Sequence, residues 1–280
     1  MIDLHCHSNC SDGSDAPDIL PRLAYQAGLK ALALTDHDTL DGLDVFMDQQ
    51  RRVSTRLIPG IELSCEFSGR ELHVLGLFVN HRDALFRERV HGLGLRRQRR
   101  NAQIFQNLSN LEINIAQEDF FNGGQLSLIT RAHIADMLLN AGHAATRLEA
   151  FQKYLGEEGL AYAPFEFLSP KDAFKWIREA GGLPAIAHPG RFYDGRFVWE
   201  TAMADLYNMG ARAIETYYTD HSETETAYFL ALCDKLSMIP TGGSDYHGSC
   251  KPGCKIGVGY GSLSVPDWVI DRCQDFLFRF

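Results

Sequence analysis

Apolar strand-like runs alternate with helix-like segments through residues 1–81, give way to helix alone, and resume over 161–280. Alternation of this kind implies a parallel sheet, open or closed into a barrel, because a crossover helix returns the chain to the same end of the sheet. Strands are expected at residues 2–7, 30–34, 57–67, 72–79, 183–187, 212–218 and 238–240, with 57–67 and 72–79 joined at Ser68-Gly69-Arg70. Helices are expected at 17–27, 41–53, 171–180, 197–209, 223–236 and 266–278. Pro17 and Gly28 suit the two ends of the first helix, whereas Pro21 fits poorly inside it and is expected to kink or delay it. The stretch 82–160 is rich in Arg, Gln, Asn and Leu and reads as a helical insertion. The expected organisation is therefore one α/β barrel domain built from 1–81 and 161–280, interrupted by a helical cap at 82–160.

Bulk properties exclude several function classes. No apolar run approaches the ~18 residues of a membrane span. The net charge of −9 argues against broad, non-specific nucleic-acid binding, which wants a basic surface. It leaves room for a phosphate substrate, because bound cations offset carboxylates. The start Met-Ile-Asp-Leu-His lacks a basic segment followed by an apolar one, and the seven cysteines are scattered. Reduced thiols in the cytoplasm are the expected state.

The chemistry is concentrated where strands end. His5 and His7 are two apart, so on a strand they share a face and can reach one cation. Asp12 follows in a loop, His37 closes the second strand, Glu62 lies near another strand terminus, and His73 lies on the next strand. His188 ends a later one, in Ala187-His188-Pro189-Gly190-Arg191, and Asp245 and His247 are again two apart. In a parallel barrel the C-terminal strand ends face one mouth, so these side chains can converge. Six histidines and three carboxylates are too many for one ion and suit two or three divalent cations, Mn²⁺, Zn²⁺ or Fe²⁺ more than Mg²⁺. Any one of these histidines alone reads as an ordinary hydrogen-bonded residue. The combination does not.

On these residues the chain resembles the polymerase and histidinol phosphatase (PHP) family of metal-dependent phosphoesterases. The matching positions are His5, His7 and Asp12; Asp36 and His37; Glu62 and His73; His188; and Asp245 and His247. It is most similar to a bacterial subgroup of 3′,5′-nucleotide bisphosphate phosphatases and 5′–3′ exoribonucleases, through Thr130-Arg131-Ala132-His133, Lys153-Tyr154-Leu155, the 185–191 segment and the insertion. The resemblance implies a distorted (β/α)7 barrel of PHP type holding up to three metals, with Mn²⁺ ahead of Zn²⁺ or Fe²⁺. It implies one ion on His5, His7, Glu62 and Asp245, a second on Glu62, His73 and His188, and a third on Asp12, His37 and His247. It makes Asp36 a residue that orients a ligand rather than binding, and Arg131 and Arg191 phosphate ligands. The implied reaction is attack of a metal-activated hydroxide on phosphorus. The substrate would be a nucleoside 3′,5′-bisphosphate or a short 5′-phosphorylated RNA, with no membrane and no stable protein partner. A small-metabolite phosphatase, such as a histidinol phosphatase, is the alternative.

His221, in Asp220-His221-Ser222, is a candidate acid for the leaving oxygen, against a plain reading as a polar loop residue. Arg96, Arg97, Arg99 and Arg100 read mainly as a solvated helical surface. Cys250 and Cys254 lack a partner pair and read as free thiols, Cys6 as core, and Tyr217 and Tyr218 as packed tyrosines.

Overall fold

A computed structural model describes residues 1–115, 129–192 and 199–278. They divide into two units, 1–88 with 167–280 and 89–166. Residues 126–128 of the apolar run before Arg131, and residues 197 and 198 of the expected 197–209 helix, lie outside the described residues.

In the first unit six strands form one sheet in chain order: β1 (Ala31–Leu34), β2 (Arg56–Phe67), β3 (Arg70–Leu77), β4 (Leu183–Ile186), β5 (Ala213–Tyr218) and β6 (Ile239–Gly243). β1 pairs parallel with β2, and β4, β5 and β6 pair parallel with one another. β3 runs antiparallel to both its neighbours, which corrects the all-parallel expectation. The reason is the connection: only Ser68 and Gly69, both at positive φ (53° and 74°), separate β2 from β3. Two residues can make a hairpin but not a crossover.

Residues 2–7 close the sheet. Asp3 N–H donates to Ala31 O at 3.0 Å on the β1 side, and Leu4 N–H donates to Gly242 O at 3.0 Å on the β6 side. Further along, Thr35 N–H reaches Cys6 O and Asp245 N–H reaches His5 O, each at 2.9 Å. The segment thus joins the two free edges through single bridges, and the result is a distorted seven-membered barrel. The approach is so close at β6 that a Cβ on Gly243 would lie 2.4 Å from the Cβ of His5, so only glycine fits there. Ile2 and Leu4 join an apolar cluster with Ala33, Ile58, Leu75 and Val269, while the alternate positions Asp3, His5 and His7 are polar and equally buried.

The first helix, Leu20–Gln26, begins three residues later than expected, with Pro21 in its first turn, where the missing N–H has no intrahelical partner to lose. In the second unit, Ile104 and Leu108 of helix Ala84–Asn110 pack with Ile134 and Leu138 of helix Arg131–Asn140 and with Tyr154 and Leu155. Arg97 and Arg100 are buried, flanking the Phe165 ring at 5.5 and 5.2 Å, so half of the basic run is packed rather than solvated. No helix among the described residues is long and apolar enough to cross a membrane.

Candidate metal centre

Seven of the nine expected ligands lie at strand ends or in the loops just beyond them. β3 is the exception in direction: its N-terminal half lies beside the far end of β2, with His73 opposite Ser64. The antiparallel hairpin therefore delivers His73 to the same place that the parallel strands deliver the others. Two ligands hold unfavourable backbone conformations, His188 at φ 26° and Asp245 at φ 53°. Strain of this kind persists where surrounding structure over-determines it, and it concentrates at functional sites.

Glu62 stands at the centre. Its Oε2 lies 3.1 Å from His5 Nε2, 3.1 Å from His7 Nε2 and 3.3 Å from His37 Nδ1. Its Oε1 lies 2.9 Å from His73 Nδ1 and 2.9 Å from His188 Nε2. The carboxylate therefore divides five histidines between its two oxygens, as a bridging ligand does. Asp245 is divided in a similar way. Its Oδ1 faces His7 Nε2 at 3.4 Å and His5 Nε2 and His247 Nδ1 at 3.5 Å, while its Oδ2 accepts from Tyr218 Oη at 2.8 Å. Asp12 Oδ1 lies 3.1 Å from His247 Nε2, and its Oδ2 lies 3.7 Å from His37 Nε2.

Three sets of donor atoms each fit around a single point: His5, His7 and Asp245; His37, Glu62 and His73; and His7, Asp12, His37 and His247. The residues pass a test for metal on their own chemistry. Asp12 Oδ1, His37 Nδ1 and His73 Nδ1 are buried without a properly directed hydrogen bond. Their neighbours lie close but out of line, and His5 Nε2 and His7 Nε2 face each other at 3.1 Å. Buried donor atoms gathered about shared points, three of them without a hydrogen bond, are what divalent cations satisfy.

The electrostatics agree. Burial works against charge on Asp12, Glu62 and Asp245, yet the histidines around them hold all three carboxyls well below the usual range. Burial also opposes charge on His7 and His73, but neighbouring carboxylates outweigh it and lift them to about 9 and about 10. Burial dominates at His37, which falls to about 4, and at His188, which is also lowered. In the metal-free protein His7 and His73 therefore carry protons at neutral pH, and a cation must displace them. Titration with Mn²⁺ at pH 7 is expected to release protons, counted calorimetrically in buffers of different ionisation enthalpy. Because these two pKa values are raised on folding, their stabilisation of the metal-free fold is complete below pH 6.5 and is lost as pH climbs through 9 to 10. Metal-free protein should lose thermal stability over that window while metal affinity grows; proton-neutral binding at pH 7 would contradict this.

Several supporting residues escaped the sequence. Glu215 is fully buried; it accepts from His5 Nδ1 at 2.9 Å and from His188 N–H at 2.7 Å, tying two ligands from different strands. A glutamate between Ile214 and Thr216 in an apolar strand was the available signal. Asp3 accepts from His5 N–H, Ser244 N–H and Oγ, and Gly257 N–H, and so pins the β6 exit to the first segment. Asp36, by contrast, was named from the sequence as a residue that orients a ligand; it accepts from Ser8 N–H at 2.8 Å, Ser8 Oγ at 2.6 Å and Ser11 Oγ at 2.5 Å, bracing the loop that carries Asp12. Ser11 Oγ in turn lies 3.4 Å from His7 Nδ1.

Arg191 lies at the edge of the cluster. Its guanidinium pairs with Asp220 at 2.8 Å, lies 3.4 Å from Asp245 Oδ2 and covers the Tyr218 ring at 5.2 Å. His221 uses both ring nitrogens on backbone: Nδ1 donates to Thr216 O at 3.0 Å and Nε2 accepts from Gly190 N–H at 3.2 Å. As folded, neither nitrogen is left for proton transfer. Arg131 belongs to the second unit, at the first turn of its helix, with its guanidinium 5.7 Å from the Phe151 ring. There Thr130 N–H donates to His133 Nδ1 at 3.1 Å, capping the helix start.

The PHP domain family model matches residues 3–162. A 5′-3′ exoribonuclease of Salmonella typhimurium is 30% identical over 253 residues, covering 89% of this chain and 86% of that protein. A 3′,5′-nucleoside bisphosphate phosphatase of Chromobacterium violaceum is 30% identical over 262 residues, covering 91% and 90%. Among solved structures, a Bifidobacterium adolescentis protein assigned as a metal-dependent phosphoesterase superposes with a TM-score of 0.86 at 25% identity, covering 98% of this chain and 95% of that one.

Proposed function

The chain belongs to the PHP domain family of metal-dependent phosphoesterases, and from that premise we propose that it removes the 3′-phosphate of nucleoside 3′,5′-bisphosphates and trims short single-stranded RNA from a 5′-phosphorylated end. The observation that carries this is the division of Glu62 between two sets of histidines, with a basic rim beside it. The two substrates present the same chemistry, a 5′-phosphate beside a scissile 3′ linkage.

His5, His7, Glu62 and Asp245, with His73, His188, Asp12, His37 and His247, would hold two or three divalent cations, Mn²⁺ being the first to test. Bound there, such cations supply Lewis acidity and lower the pKa of water. The chain's own residues do the rest. Glu62 and the histidines exclude bulk water from a buried, fully polar cluster. Arg191 neutralises non-bridging phosphate oxygens, for which its planar fork is suited. His221 holds Gly190, and with it the turn that presents Arg191. Glu215 keeps the His5 ring oriented by occupying the nitrogen that faces away from the cluster, and holds the His188 backbone by accepting its N–H.

Adenosine 3′,5′-bisphosphate with added Mn²⁺ should release phosphate far faster than histidinol phosphate or a generic aryl phosphate. A preference for histidinol phosphate would instead support a small-metabolite phosphatase. Arg131 provides a sharper test. As the anchor for a terminal 5′-phosphate, its loss should weaken 5′-phosphorylated substrates by roughly 10- to 150-fold. Arg131→Ala should leave 5′-hydroxyl substrates nearly unchanged, and equal losses on both, measured as kcat/KM, would remove the anchoring role.

A further inference from the structure

Lys251 has no role in the account above, yet it sits against a metal-ligand carboxylate. It follows the short helical turn Gly248–Cys250, and its Nζ lies 3.0 Å from Asp245 Oδ2 and 3.4 Å from the Asp245 carbonyl. The same Nζ lies 5.5 Å from the centre of the Tyr218 ring, whose guanidinium neighbour Arg191 lies at 5.2 Å. One carboxylate oxygen thus receives Tyr218 Oη, Lys251 Nζ and, at 3.4 Å, Arg191. Two cations and a hydroxyl on a single oxygen supply more positive charge than that oxygen can balance once its partner, Oδ1, serves a cation with His5 and His7. Arg191 has a second acid, Asp220. Among the described residues, Asp245 is the one carboxylate within ion-pair reach of Lys251. With cations bound, Lys251 is therefore the positive group left without its full counter-charge, at the rim of the cluster and only 16% exposed. A poorly hydrated ammonium in that position attracts an anion.

We propose that Lys251 binds a non-bridging oxygen of the scissile phosphate and, with Arg191 beside the same Tyr218 ring, forms a two-cation clamp that favours terminal phosphomonoesters over phosphodiesters. The choice between them follows from charge. A phosphomonoester carries about two negative charges near neutral pH and three non-bridging oxygens, whereas a diester carries one charge and two such oxygens. A second cation beside Arg191 is matched by the former. The inference rests on the phosphoesterase reading and deepens it, since it makes the 3′-phosphate of a bisphosphate the preferred leaving phosphate and RNA cleavage the slower activity.

The test compares wild type, Lys251→Gln and Lys251→Arg, each loaded with Mn²⁺ and checked for metal content. Calorimetric titration with inorganic phosphate should show binding weakened by at least about tenfold in Lys251→Gln. For Lys251→Gln, kcat/KM should fall roughly 10- to 150-fold on p-nitrophenyl phosphate, and by less than about fivefold on bis(p-nitrophenyl) phosphate. Lys251→Arg should recover most of both losses. Unchanged phosphate binding would overturn the proposal. So would loss of metal with equal losses on the two esters, because Lys251 would then act through Asp245. The aryl esters and phosphate carry no nucleoside. If wild type turns over neither nucleoside bisphosphate nor RNA, the substrate reading fails while the Lys251 result still stands or falls by itself.

Discussion

Glu62→Gln is expected to strip the centre of metal and to lower turnover by at least about a thousandfold, equivalent to about 4 kcal/mol or more of lost transition-state stabilisation. The amide is isosteric, so the change removes charge rather than shape. Glu62 is the side chain that touches both sets of histidines, with five ring nitrogens between 2.9 and 3.3 Å of its two oxygens. An amide presents one acceptor and one donor group, and the donor side would point at nitrogens that must themselves donate lone pairs to a cation. The metal-free fold should suffer too. Removing one partner from a buried charged cluster costs roughly 3–5 kcal/mol, because the charges left behind keep their desolvation cost. Elemental analysis, kcat and a thermal melt on the same preparation separate these effects. His188→Ala should behave similarly but more mildly in stability, since burial already favours the neutral form of that histidine. Metal retention with activity within about tenfold of wild type in Glu62→Gln would show that no bridging carboxylate is needed.

Much of this centre was legible because strand periodicity constrains which side chains can share a face. His5 and His7 on one segment reach one place for the same reason that Ile2 and Leu4 reach the core, whereas Asp245, at φ 53°, and His247 lie in the loop beyond β6 and join different donor sets. What the sequence concealed was of another kind. The direction of β3 depends on a two-residue turn: the join at Ser68-Gly69-Arg70 was visible, but its shortness, which forces an antiparallel hairpin, was outweighed by the strand–helix alternation elsewhere. Arg97 and Arg100 looked like a solvated run because charge alone does not say that both pack against Phe165. Tyr218 reaches Asp245 from the neighbouring strand's end, 27 positions away, and no local pattern records such a meeting. Residues that bind metal are constrained to a few chemical types at a few positions. Residues that orient those ligands can be almost any polar group at almost any separation, which is why His5 and Glu215 are 210 positions apart.

Glu215 is where that difference can be measured. Its two oxygens hold the side chain of His5 and the backbone of His188, so it fixes a ring orientation on one side and a strained turn, at φ 26°, on the other. Losing a partner of this kind typically lowers metal affinity by about 10- to 100-fold. The two halves of its role respond to different substitutions. Glu215→Gln keeps an acceptor for the His188 N–H but gives up the charge that favours a protonated Nδ1 on His5, and with it the tautomer that leaves Nε2 free to ligate. It should lower metal affinity by that 10- to 100-fold with little change in stability. Glu215→Ala also orphans the buried His188 N–H, which costs a further ~1–3 kcal/mol of stability. Saturating Mn²⁺ should restore most of the turnover of Glu215→Gln, because the ligands themselves remain. Activity that stays low at saturating metal, with full metal content, would mean that Glu215 affects the chemistry directly and not the geometry of the two histidines it holds.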